Sequence, residues 1–278
     1  MISVVIAVRD GMPWLEEQLR ALCEQRCMSQ WEVVVADNGS TDASPEVVRS
    51  WASRNARIRM VDASARPGPS AARNIGADLA AGDLLAFCDA DDVVQPGWLN
   101  AILVGLRDAD VVAGAFEHGS LNGQPLMAPQ PAATRQLGHV PAGLAANLGV
   151  RRSAFEALGG FDEDLLVGED IDLCWRLQFA GYKFSTVADA VVAKRERETA
   201  SEIFRHGLTH GRSGPRLYRK HRASGIRRDF VGTAKAWGWL VLEVPWLYRR
   251  GLRRRWLRVA GVRAGRLLGS IQCRVFFP

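Results

Sequence analysis

Over the first 115 residues, short apolar runs alternate with stretches in which apolar positions recur every three or four residues. The apolar runs stand at 3–8 (SVVIAV), 31–36 (WEVVVA), 58–61 and 84–88 (LLAFC). Runs this short and continuous, rich in valine, predict strands buried on both faces, as in a parallel sheet. Residues 14–27 carry Leu15, Leu19, Leu22 and Cys23 at the spacing of an amphipathic helix. Residues 45–53 and 70–81 predict two more helices, and Asp42 and Ser44 ahead of Pro45 give a capping pattern. Strand–helix alternation of this kind implies an α/β fold around a mainly parallel sheet, with ligands at the carboxyl ends of its strands.

The pattern breaks at 117–142, where Gly, Pro, Gln and Ala dominate and a long loop or insertion is expected. Periodicity resumes at 152–158 and 170–180, closed by Gly181, and 187–193 predicts one further strand. From Ser201 onward the chain reads as helical, rich in arginine and studded with tryptophan. The expected division is a catalytic α/β domain over 1–198 and a basic helical extension over 199–278.

Composition changes this picture in two places. The 47% hydrophobic and 24% charged content fits a globular chain and excludes disorder, collagen and coiled coil. The net charge of +6 conceals a partition: residues 1–200 hold 18 Lys and Arg against 27 Asp and Glu, whereas 201–278 hold 18 against 3. An acidic body with a basic tail points to an anionic partner. Five scattered cysteines without a CxxC pair argue against a disulfide framework or zinc knuckle, so a reduced, cytoplasmic setting is expected. The apolar run at 2–8 is too short for a signal peptide and meets Arg9-Asp10 directly. The run at 236–247 contains Glu243 and falls short of the roughly twenty residues a membrane span needs.

Candidate chemistry sits where strands end or helices begin. Asp37 closes the second strand, where its carboxylate can accept hydrogen bonds from a base or ribose. Asp89-Ala90-Asp91-Asp92 follows the fourth strand. On extended backbone Asp89 and Asp91 face one side, and hard oxygen ligands at that spacing suit Mg²⁺ or Mn²⁺ bridging a diphosphate. Asp170, in Gly168-Glu169-Asp170-Ile171-Asp172-Leu173, opens a helix, where an anion is favoured and simple capping is the plain alternative. His206 and His210 stand four residues apart without a third metal ligand.

Taken together these positions resemble the family 2 glycosyltransferases, which have the GT-A fold. The resemblance rests on Val4-Val5-Ile6-Ala7-Val8, Val35-Ala36-Asp37-Asn38-Gly39-Ser40-Thr41-Asp42, Ala72-Arg73-Asn74-Ile75-Gly76, Phe87-Cys88-Asp89-Ala90-Asp91-Asp92, Gly159-Gly160-Phe161-Asp162-Glu163 and the Gly168–Leu173 segment with Arg176, in that order. It implies an inverting sugar transfer from a nucleotide-sugar donor. In that reading Asp37 binds the nucleobase, Arg73 helps hold the nucleotide, Asp89 meets the ribose, Asp91 ligates the divalent metal, and Asp170 is the catalytic base. The implied donor is a UDP- or dTDP-sugar, and the implied acceptor is a glycan or lipid-linked hydroxyl.

The sequence departs from the family twice. Lys194-Arg195 follows the last strand where many relatives carry a metal-reaching histidine. A protonated lysine cannot ligate a cation, though it could meet the diphosphate directly. The QxxRW motif of processive synthases is absent around Leu173-Cys174-Trp175-Arg176-Leu177, so a single transfer is expected.

Two alternatives stay open. A sugar nucleotidyltransferase would use a related crevice, but the loop Arg9-Asp10-Gly11-Met12-Pro13 is a poor basic phosphate loop. A non-enzymatic protein binding an anionic surface would explain the tail alone. The tail interleaves Trp237, Trp239, Trp246, Tyr248 and Trp256 with arginines, which favours an anionic membrane surface on the cytoplasmic side over nucleic acid.

Overall fold

A computed structural model describes residues 1–126, 128–134 and 140–277; His139 and part of the 117–142 segment therefore lie outside the described residues. The chain forms two compact units. The first comprises Met1–Thr134, Pro141–Asp164 and Glu169–Glu196; the second is built mainly from the residues after Glu196, together with Leu165–Gly168.

In the first unit the elements follow in order as β1 (Ile2–Val8), α1 (Leu15–Cys23), β2 (Trp31–Asp37), α2 (Ser44–Arg54), β3 (Ile58–Asp62), α3 (Pro69–Leu79), β4 (Leu84–Cys88), β5 (Val93–Val94), α4 (Trp98–Asp108) and β6 (Val111–Glu117). After these come the short strands β7 (Gln130–Pro131), β8 (Ala133–Thr134) and β9 (Ala142–Gly143), then β10 (Asn147–Arg151), α5 (Arg152–Ala157), α6 (Glu169–Phe179) and β11 (Phe184–Ala193).

One sheet organises this unit, in the order β3-β2-β1-β4-β10-β6-β11-β5, with β7 attached to β6. The first four strands are mutually parallel, as are β6 and β11; β10 runs antiparallel between β4 and β6. The mainly parallel α/β architecture predicted from the strand runs is therefore present. Ile2, Val4, Ile6 and Val8 of β1 face a core shared with Leu15, Leu19 and Leu22 of α1 and with Trp98, Leu99, Ile102 and Leu106 of α4. On the opposite face Val34, Ala36 and Val61 pack with Ala72 of α3. At Gly76 an added Cβ would stand 2.6 Å from Val5 Cγ1, so α3 can lie close on the sheet only with glycine there.

Several boundaries differ from expectation. The α1 helix ends at Cys23 rather than continuing to Cys27, because Gln25 turns inward. Its Nε2 donates to Gln95 O at 3.0 Å, and its Oε1 accepts from Leu99 N–H at 3.2 Å. The residue before α2 is Ala43, which offers no side-chain cap. Asp42 instead accepts from Met12 N–H and Ser44 N–H, each at 2.9 Å, so it ties the β1–α1 loop to the start of α2. The strand expected at 187–193 begins earlier, at Phe184.

In the second unit α7 (Ala200–His221), α8 (Phe230–Leu242) and α9 (Arg250–Cys273) are helices, as the periodicity after Ser201 predicts. Thr199 starts α7 with a full capping box to Glu202. Along α7 and α9 the backbones touch: an added Cβ at Gly207 would meet Arg258 O at 2.6 Å, and one at Gly211 would meet Val262 O at 2.2 Å. Among the described residues no helix is long and apolar enough to cross a membrane.

Candidate active site

The parallel arrangement brings the carboxyl ends of β1, β2 and β4 to one edge of the sheet, and the candidate residues gather there. Asp89 follows Cys88 at the end of β4. Its Oδ1 accepts from Arg73 Nη2 at 2.9 Å and its Oδ2 from Lys194 Nζ at 3.1 Å. Burial works against the charge on Asp89, but Lys194 and Arg73 overcome it and hold the carboxyl down at about 2.

Asp92 is wholly buried. Its Oδ2 accepts from Lys194 Nζ at 2.6 Å and its Oδ1 from the Arg195 N–H at 3.0 Å. Burial, joined by repulsion from Asp89 and Asp91, pushes its carboxyl upward. Arg195 also donates from Nε to Asp91 O at 3.0 Å and from its other end to Glu17 at 2.7 Å, and its guanidinium lies over the Trp14 ring. The residues after β11 thus clamp the acidic loop after β4 against the first helix.

Arg73, on the first turns of α3, is the hub on the other side. Its Nη1 donates to Glu169 at 2.9 Å while Nη2 holds Asp89, and the side chain is 8% exposed. Burial disfavours its charge, but Asp89, Glu169 and Asp170 together raise its pKa. Glu169, at the start of α6, is pushed up to about 7 by burial and by the Asp170 charge beside it.

Asp170 is the next residue of α6. Its Oδ2 accepts from Ala145 N–H at 3.0 Å, and its Oδ1 from Ile171 N–H at 2.8 Å. These bonds orient the carboxylate, and the charge lies near enough to bear on both Arg73 and Glu169. Two residues on, wholly buried Asp172 accepts from Arg176 Nε at 2.7 Å, and Arg176 also donates to Leu158 O and Gly160 O, each at 2.6 Å. Asn74 donates to Phe161 O and accepts from Phe161 N–H, both at 2.9 Å. The Gly159–Glu163 segment is therefore tied to both α6 and α3.

Asp37 stands apart from this ion-pair network. It ends β2, with β1 between it and β4, so it lies roughly 10 Å from Asp89 by strand spacing. Its Oδ1 accepts weakly from Ser40 N–H at 3.3 Å. Its neighbour Asn38 fixes the next loop, donating to Ala63 O and Arg66 O and accepting from Gly68 N–H. Asn38 thus ties the end of β2 to the loop between β3 and α3.

Asp89, Asp91 and Asp92 each offer a carboxylate oxygen within 4.8 Å of the others. Hard oxygen donors this close fit a divalent cation, and Asp91 is the ligand the sequence singles out. The structure therefore unites Asp89, Arg73 and Asp170 with Asp91, and sets Asp37 across β1. Glu169, Asp92 and Arg195 belong to the same assembly; each stands beside a residue the sequence singles out, but the sequence gives none of them a role. The pairing of Lys194 with two aspartates appears only once β11 is placed beside β5.

A family model described as glycosyl transferase family 2 matches residues 3–167. The chain is 30% identical over 238 residues to the pre-mycofactocin glycosyltransferase of Mycobacterium tuberculosis, covering 79% of this chain and 48% of that protein. It thus spans about half the length of that relative. It is 27% identical to the glycosyltransferase AglE of Haloferax volcanii, covering 83% of this chain and 78% of that one. Among solved structures, the mannosyltransferase PcManGT from Pyrobaculum calidifontis, in complex with GDP-Man and Mn²⁺, superposes with a TM-score of 0.63 at 18% identity. That match covers 95% of this chain and 86% of that one, and at such identity it speaks for the fold.

Proposed function

The chain belongs to glycosyl transferase family 2, and from that premise we propose that it moves a sugar from a nucleotide-diphosphate donor to a hydroxyl acceptor, with inversion at the anomeric carbon. Its α/β unit has the GT-A fold. The observation that carries the reading is the oriented carboxylate of Asp170, held by two backbone N–H groups beside the Arg73–Asp89–Lys194 cluster.

Each residue has a chemical task in this reading. Asp37 accepts from the imide N–H of a uracil or thymine base, as a carboxylate can and a backbone N–H cannot. Asp89, kept ionised by its two cations, accepts from ribose hydroxyls. Arg73 holds Asp89 and Glu169 in place and brings positive charge toward the diphosphate. Asp91, with its neighbouring carboxylates, would hold a divalent cation, which when bound supplies neutralising charge to the departing nucleoside diphosphate.

Asp170 takes the proton of the acceptor hydroxyl as that oxygen attacks the anomeric carbon on the face opposite the leaving group. The bond from carbon to the diphosphate oxygen breaks, and its electron pair stays with the nucleoside diphosphate. The products are an inverted glycoside and free nucleoside diphosphate. The acceptor we infer is a lipid-linked or envelope glycan, and the transfer is single rather than processive because the QxxRW motif is absent.

The test is Asp170→Asn. Amide and carboxylate have the same shape, so donor affinity is expected to stay within about threefold while turnover falls about 10²-fold or more, the magnitude of general-base loss. Donor binding is read by thermal shift and turnover by release of nucleoside diphosphate. A variant that turns over normally removes Asp170 from the mechanism. Release of pyrophosphate in place of nucleoside diphosphate would make the chain a nucleotidyltransferase.

A further inference from the structure

The carboxylates assigned to a divalent cation already have a cation among them. Lys194 Nζ lies 2.6 Å from Asp92 Oδ2 and 3.1 Å from Asp89 Oδ2. The remaining oxygens of these two residues are also engaged: Asp89 Oδ1 accepts from Arg73, and Asp92 Oδ1 from the Arg195 N–H. Every carboxylate oxygen of Asp89 and Asp92 therefore has a donor supplied by the chain. An ammonium is a compact point charge with three donors, so one lysine can serve two carboxylates where a neutral imidazole would leave both charges standing. The ammonium is itself held in place: its neighbour Arg195 is anchored to Asp91 O and Glu17, and Phe116 lies beneath the Nζ at 5.6 Å.

We propose that Lys194 is a built-in competitor for the divalent cation, occupying the Asp89–Asp92 pair so that the nucleotide-free chain binds Mn²⁺ weakly. A metal ligated by these oxygens would stand within a few ångström of the ammonium, and the repulsion between the two charges disfavours its entry unless the ammonium moves away. A nucleoside diphosphate relieves the conflict, since its own phosphate oxygens can ligate the metal or receive the displaced ammonium. The inference rests on the metal assignment to the Asp89–Asp91–Asp92 cluster made above. Its test uses metal alone and reads no transfer, so its failure and that of the glycosyl-transfer reading are distinguishable.

The experiment is a Mn²⁺ titration of the full chain without nucleotide, following free Mn²⁺ by electron paramagnetic resonance. Wild type is compared with Lys194→Gln, Lys194→Met and Lys194→Arg, each checked for a native thermal transition. Removing the charge is expected to tighten Mn²⁺ binding at least tenfold in the Gln and Met variants, and the Arg variant is expected to stay as weak as wild type. Equal Mn²⁺ affinity in wild type and a folded neutral variant overturns the proposal. Wild type needs no substitution and decides by itself if the variants do not fold: saturation at micromolar Mn²⁺ without nucleotide also overturns it.

Discussion

Asn147 shows how much one buried polar side chain can hold. It is fully buried at the start of β10. Its Nδ2 donates to Ala115 O at 2.9 Å and Ala190 O at 2.8 Å, and its Oδ1 accepts from Trp98 Nε1 at 2.8 Å. The β6–β11 ladder is irregular between Thr186 and Val191, and the Asn147 side chain bonds to both strands beside that irregularity. Gly114 makes room, since a Cβ there would lie 2.4 Å from the Asn147 amide. Asn147→Ala would remove the hydrogen bonds to both carbonyls, each worth about 0.5–1.5 kcal/mol net, and take from the buried Trp98 indole N–H its acceptor, at about 1–3 kcal/mol. The expected loss is about 3 kcal/mol or more, seen as a Tm drop of roughly 6 °C or more at 2–4 °C per kcal/mol. A melting curve within a degree of wild type would mean that these groups find other partners.

The helices of the second unit are governed by side chains that are absent. Gly207 and Gly211 on α7 face Gly261 and Gly265 on α9, and an added Cβ at any of the four would come within 2.6 Å of a carbonyl oxygen on the facing helix. Small residues four apart let two helix backbones approach this closely. Gly211→Leu is expected to force α7 and α9 apart at a cost of about 1–3 kcal/mol, the range for overpacking, with more where the backbone itself must move. Hydrogen exchange can localise the effect: amides of α7 and α9 should lose protection while those of β1, β2 and β4 keep theirs. Unchanged protection in both helices would show that the close approach is not needed.

Internal glycines bear in part on which elements are legible in sequence. The strands β1, β2, β3 and β4 are unbroken apolar runs, and the pattern found each to within one residue at either end. Helix α4 and strands β6 and β10 were not distinguished, and each contains an internal glycine: Gly105, Gly114 and Gly149. Read along the chain such a glycine weakens the pattern, although the helix at α3 is predicted despite Gly76. In the structure each is a packing requirement, with an added Cβ at Gly105 only 2.5 Å from Val187 Cγ2 and one at Gly149 only 2.6 Å from Ile102 Cγ2. The candidate site divides the same way. Asp37, Asp89, Asp91 and Asp170 were visible because strand ends and helix starts mark them. Which of these charges meet is not visible there: Glu169 pairs with Arg73 and Lys194 with Asp89, and no local spacing announces a contact across 96 or 105 residues.

The separation of charge along the chain bears on where the protein works. Residues 201–278 carry 18 Lys and Arg against 3 Asp and Glu, and the tryptophans among them have divided roles. Trp256 is spent on packing, its Nε1 donating to Leu240 O at 2.8 Å, and Arg255 lies over the Trp239 ring. Around the end of α8 the apolar side chains face solvent: Val241 is 70% exposed, Leu242 74% and Tyr248 69%, with Val244 and Trp246 also exposed. A 13-residue helix is too short to span a bilayer, but an apolar edge flanked by arginines suits the headgroup boundary. Each basic residue near an anionic surface adds about 1 kcal/mol, and each buried CH₂ roughly 0.8 kcal/mol. We therefore expect the full chain to float with phosphatidylglycerol-containing vesicles at low salt and to bind more weakly, though still measurably, near 0.5 M salt, the order of ionic strength at which surface charge is screened within a few ångström. Neutral phosphatidylcholine vesicles should capture far less. The double substitution Leu242→Glu with Tyr248→Glu touches neither the carboxylate cluster nor Asp170, and is expected to cut vesicle binding about tenfold or more while leaving donor-induced thermal stabilisation in place. Equal flotation of the variant and wild type, or no flotation of wild type at low salt, would detach the exposed edge of α8 from any membrane role and leave a soluble acceptor as the simpler reading of the enzyme.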